Sequence, residues 1–149
     1  FEINLIKKED EKNIIINNKK INLIDVKLNF KKPFGKISSR SSKYIKECFN
    51  IGLNIMKNKI GLALINGPIS KKHFFAGKFD GITEYLAHKT KEKNNEVMLI
   101  YNKSLSVSPM TTHVALKDVS KRISTNMIVQ KIMTINKFYK DKLGKINLS

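Results

Sequence analysis

Ile60-Gly61-Leu62-Ala63-Leu64-Ile65-Asn66-Gly67-Pro68-Ile69-Ser70-Lys71 decides the class of fold. Its first six residues are an uncharged apolar run, the pattern of a short strand buried on both faces. Asn66-Gly67-Pro68 breaks the run, since glycine and proline set a turn and proline lacks a backbone donor. Ser70 then offers a hydroxyl where a helix would begin. A buried strand passing through a tight turn into a helix is the basic unit of an α/β layer.

The pattern extends outward from this unit on both sides. Upstream, Ser38-Ser39 or Ser41-Ser42 caps a predicted helix running to about Asn58. Tyr44, Ile45, Cys48, Phe49, Gly52, Ile55 and Met56 recur along it at helical spacing and give it one apolar face. Farther upstream, Ile14 to Ile16 is a short apolar run and Asn17-Asn18 a turn. Ile24, Val26, Leu28 and Phe30 then alternate with polar residues, which predicts a half-buried strand ended by Pro33 and Gly35. Downstream, short helices are predicted at about 70–76 and 83–90, separated by the Gly77-to-Gly81 loop, and strands at 96–101 and 105–109. Ser124-Thr125 starts a helix to about Leu143, with Ile128, Ile132, Ile135, Phe138 and Tyr139 on one face and Gly144 as its stop. Strands alternate with helices, so the expected class is a layered α/β fold, with no internal repeat and no low-complexity linker.

Composition narrows the function. The 149 residues suit one ordinary domain, and 41% hydrophobic residues are too many for a disordered tail. No apolar run approaches the roughly 18 residues of a membrane span, and no signal peptide is visible, so a soluble cytoplasmic protein is expected. The lone Cys48 rules out an internal disulfide framework and fits a reducing compartment. The net charge of +17 raises a nucleic-acid hypothesis. Against it, only Arg40 and Arg122 among the 29 cations carry the planar fork suited to bidentate recognition, and the lysines are scattered in pairs. A solvated lysine-rich surface is the simpler reading, with no nucleic-acid partner. The chain opens on Phe1 and ends on Lys145-Ile146-Asn147-Leu148-Ser149, an alternating pattern without a sequel, so a fragment of a longer protein is expected.

Ligands of open α/β sheets gather where strands end and helices begin. The Asn66-to-Lys71 turn offers backbone N–H groups, a hydroxyl and a cation that could receive an anion, or it is a plain connection. His113, after Met110-Thr111-Thr112, could bind a metal or move a proton, or serve as a hydrogen-bonded structural histidine. His73 and His88 fall on predicted polar helix surfaces, and Cys48 falls on an apolar helix face as a core residue. The histidines do not form a metal-binding spacing, and no G-x-G-x-x-G, P-loop or G-x-S-x-G run is present.

Three runs together resemble the 4-hydroxythreonine-4-phosphate dehydrogenase family of pyridoxal 5'-phosphate (vitamin B6) biosynthesis. They are Ile65-Asn66-Gly67-Pro68-Ile69-Ser70-Lys71, Phe79-Asp80-Gly81-Ile82-Thr83-Glu84-Tyr85 and Thr111-Thr112-His113-Val114-Ala115-Leu116-Lys117-Asp118-Val119. Their order and spacing agree with the family, and the T-T-H-x-x-L-K-D run is the specific one. The resemblance implies a layered α/β/α fold of the isocitrate/isopropylmalate dehydrogenase type, present here as the middle portion of a two-domain chain about twice as long. It implies metal-assisted oxidation of 4-phosphohydroxy-L-threonine with hydride passing to NAD, then decarboxylation, by a cytoplasmic homodimer. By motif, His113 is a ligand of the divalent cation (Zn, Mg or Co). The substrate-binding His-Thr pair of the family's G-H-T-E motif falls on Ile82 and Thr83. Ile82 departs from that motif: it cannot donate a side-chain hydrogen bond, so Lys71 or a backbone amide compensates, or the substrate is a related phosphorylated acid such as 4-phosphothreonate or 4-phosphoerythronate. Because the other metal histidines lie outside the 149 residues, the chain alone is expected to be catalytically inert.

Overall fold

The computed structural model describes residues 1–10, 14–30, 32–92 and 95–144. Where length alone suits one domain, the chain divides into two compact units, Phe1–Ala76 and Gly77–Ser149. Helices and a small parallel sheet make it a mixed α/β chain. The alternating pattern at 145–149 lies outside the described residues.

In the first unit, strand β1 (Ile3–Ile6) pairs in parallel with β2 (Ile21–Ile24), Ile3 opposite Ile21 and Ile6 opposite Ile24. Asparagines fix the register. Asn4 and Asn22 are opposite partners, and the Asn4 Nδ2 donates to Asn22 Oδ1 at 2.8 Å. The Asn22 amide also holds the turn before its own strand: its Nδ2 donates to the Asn17 carbonyl at 3.0 Å, and its Oδ1 accepts from the Asn17 N–H at 2.9 Å. Alternation puts Ile6 inside and leaves Ile3, Leu5, Ile21 and Leu23 exposed. The predicted strand over Ile24 to Phe30 is therefore displaced: β2 ends where its partner β1 ends, and 25–30 have no ladder partner among the described residues. Ile14 to Ile16 likewise forms no strand.

Helix α1 (Ser42–Lys57) forms close to the predicted bounds, but of the predicted apolar face only Phe49 is buried, the rest being half-buried, and Ile51, outside that set, is buried with it. The Phe49 ring stacks on Phe74 of α2 (Lys71–Phe75), centroids 5.9 Å apart, and the Ser42 hydroxyl donates to the His73 carbonyl at 2.9 Å. Its C-terminus closes in a Schellman motif, the Lys59 N–H on the Met56 carbonyl and the Ile60 N–H on the Ile55 carbonyl. Lys59 takes the left-handed conformation (φ 57°) that this motif requires. The chain then returns along the helix. A Cβ on Gly52 would come within 2.8 Å of Leu64 Cδ1, so glycine permits the approach. The segment Ile60 to Ile65 nevertheless corrects the buried-strand expectation: it has no ladder partner among the described residues, and Leu62 and Ile65 are 95% and 92% exposed. An apolar run becomes a buried strand only when other strands satisfy its backbone and cover its faces.

In the second unit, α3 (Ile82–Thr90) buries Tyr85 and Ala87. The predicted strands at 96–101 and 105–109 shrink to one antiparallel bridge, Ile100 with Val107, joined by hydrogen bonds of 2.8 and 3.0 Å. A 3-10 turn at Leu116–Asp118 and the short helix α4 (Val119–Arg122) fall outside the predicted elements. Helix α5 (Thr125–Leu143) has both predicted ends: Ser124 Oγ accepts the Met127 N–H at 3.3 Å, and Gly144 is left-handed (φ 63°). Only part of its apolar face is covered. Tyr139 is buried and donates to Ser106 Oγ at 2.9 Å, while Ile128, Ile132 and Phe138 remain exposed.

Candidate functional site

The sequence-predicted site residues divide between the two units. The Asn66-to-Lys71 turn lies in the first, and Ile82, Thr83 and His113 lie in the second. The turn is exposed up to Pro68, and Ile69 and Ser70 are half-buried. The Asn66 side chain donates to the Gly67 carbonyl at 3.0 Å. A Cβ on Gly67 would meet nothing within 4 Å, so packing within the chain does not demand glycine there. Ser70 precedes α2, and its hydroxyl lies 2.8 Å from His73 Nδ1. His73 is thus half-buried and held to Ser70, a correction to its placement on a polar helix surface. The S-x-x-H spacing, with a polar side chain at the third helical position reaching back to the cap, was the available signal.

In the second unit, Gly81 is the extended N-cap of α3 (φ −163°), Ile82 is its first residue and Thr83 its second. Tyr85 N–H is the first amide to bond back, reaching the Gly81 carbonyl at 3.2 Å. The amides of Ile82, Thr83 and Glu84 therefore have no acceptor within the helix. Thr83 is exposed and its hydroxyl makes no hydrogen bond among the described residues, while Ile82 is half-buried. Glu84, in the same turn, has one buried oxygen without a hydrogen-bond partner. A hydroxyl beside helix-start amides without intrahelical acceptors can bind an anionic oxygen, and a carboxylate in the same turn opposes this.

His113 is exposed, in the left-handed region (φ 57°), just before the Leu116–Asp118 turn. Its ring makes no hydrogen bond and no ion pair among the described residues. Among those residues no group of three or more His, Cys, Asp or Glu side chains is placed to hold a metal. A catalytic metal needs about three protein ligands, so the described residues do not form a complete metal site, and His113 contributes at most one donor. Nothing bonds Ile82 or Thr83 to His113 among the described residues. His88 is exposed, as predicted, with its ring 5.4 Å from Phe79.

Cys48 is half-buried, not fully in the core. Its hydrogen bond with the Tyr44 hydroxyl, then the Coulombic effect of the same sulfur and partial burial, push that hydroxyl above its ordinary value. The thiol therefore has a local structural partner one helical turn away. Burial alone raises the Tyr85 hydroxyl, keeping it neutral.

Comparison with known proteins adds what the geometry lacks. The family model for pyridoxal phosphate biosynthetic protein PdxA matches residues 1–147. A 4-hydroxythreonine-4-phosphate dehydrogenase of Sulfurihydrogenibium sp. (strain YO3AOP1) is 33% identical over 126 residues, covering 83% of this chain and 38% of its own length. The protein of the same name from Wigglesworthia glossinidia brevipalpis is 33% identical over 117 residues, covering 77% of this chain and 35% of its own. A putative D-threonate 4-phosphate dehydrogenase of Bradyrhizobium diazoefficiens is 33% identical over 92 residues, covering 60% of this chain and 26% of its own. The chain thus spans well under half the length of these relatives.

Proposed function

The chain belongs to the family of pyridoxal phosphate biosynthetic protein PdxA, and from that premise we propose that it is the middle portion of a longer NAD-dependent dehydrogenase of vitamin B6 synthesis. The whole protein would oxidise the secondary alcohol of 4-phosphohydroxy-L-threonine. Hydride passes to NAD, the hydroxyl proton is released, and the β-keto acid so formed loses carbon dioxide. The observation that carries the reading into this chain is the start of α3, where the hydroxyl of the exposed Thr83 stands beside helix-start amides without intrahelical acceptors. Thr83 would donate to an anionic substrate oxygen. Ile82 would supply its amide and an apolar wall in place of the family's histidine. His113 would be one ligand of a divalent cation. The described residues do not supply the others, so no catalytic step is assigned to a metal within this chain. The layered α/β/α arrangement, the homodimer and the cytoplasmic location belong to the same proposal.

Ile82 and the likeness to the Bradyrhizobium protein favour a second substrate reading, a phosphorylated sugar acid such as 4-phosphothreonate. The test is NADH formation by the protein of full family length, supplied in turn with 4-phosphohydroxy-L-threonine and D-threonate 4-phosphate. Higher kcat/KM with the first supports the main reading, and higher kcat/KM with the second transfers the substrate assignment. No NAD reduction with either overturns the dehydrogenase. The 149-residue chain alone should give no turnover. In the full-length protein, His113→Ala should lower turnover at least about 100-fold, the upper end of what loss of an outer partner of a metal ligand costs. Bound metal should fall with it while the circular dichroism stays unchanged. Retained metal and retained turnover would remove His113 from the site.

A further inference from the structure

We draw no further inference here: the strongest candidate, the apolar cavity of about 430 Å3 in the second unit between the 97–101 segment and α5, carries nothing because no feature of the structure shows what fills or covers it.

Discussion

Helix α1 buries Phe49 and Ile51, each 5% exposed, stacks Phe49 on Phe74, and lets Leu64 approach at Gly52. Helix α5 is longer, 19 residues against 16, yet buries only Tyr139 among its described residues and leaves Ile132 and Met133 more than half exposed. The ends reverse the comparison. Ser41, the N-cap of α1, makes no side-chain bond to the helix, whereas Ser124 caps α5 through the Met127 N–H. The N-terminal caps thus run opposite to the burial, while both helices close at the C-terminus on a left-handed residue, Lys59 after α1 and Gly144 after α5. Most helical stability in proteins comes from packing an apolar face, so α5, with less of its face covered, relies more on the Ser124 cap than α1 does on Ser41.

The largest effect should follow from removing a contact of α1. Phe49→Ala deletes a ring buried against Phe74, at a cost of about 3–5 kcal/mol. That is of the order of a small domain's whole stability. Hydrogen exchange should show the α1 amides losing protection while α5 amides keep theirs. Equal loss in both helices would mean that the two share one cooperative unit, and the contrast between them would fail.

The same contrast explains how much was legible in the sequence. The bounds of α5 were readable because Ser124 and Gly144 act on backbone groups within one turn of themselves. The apolar period of α1 was readable for a similar local reason. Strands depend on distant partners, so their signals misled. Ile60 to Ile65 carries the pattern of a buried strand but has no ladder among the described residues, and β2 stops at Ile24 because β1 stops opposite it. The site followed the same division. Thr83 and His113 could be singled out from motif runs, but the joining of Ile82, Thr83 and His113 into one site is not a local property, and the described residues show no bond between them. The Ser70–His73 pair is local too, but its signal lies in the cap spacing and not in the polarity of the helix surface.

Cap substitutions should give a smaller, opposite pattern. Ser124→Ala should cost about 1 kcal/mol, since a helix-start donor loses its acceptor. Ser41→Ala should cost no more than a few tenths, because its hydroxyl bonds the Ser38 carbonyl outside the helix. Urea titrations followed by far-ultraviolet circular dichroism measure both. If Ser41→Ala proved the costlier change, α1 would rely on its terminus after all.

The smallest effect is electrostatic and again separates the helices. On α1, Glu47 pairs at the surface with Lys8, just beyond β1, and this pairing holds its carboxyl below the ordinary carboxylate range, hydrogen bond first and Coulombic attraction second. The folded chain therefore binds fewer protons than the unfolded one in the window between the two pKa values. The stabilisation is complete above the unfolded value of about 4.3 and disappears as pH falls through the folded value. No ion pair involves α5 among the described residues. Acidification from about pH 6 to 3 should therefore weaken α1 protection more in the native chain than in Glu47→Gln, with α5 indifferent to the substitution. Solvent screening keeps the difference small, and added salt should reduce it further. An acid response unchanged by Glu47→Gln would show that the tie between Lys8 and α1 contributes nothing to the helix.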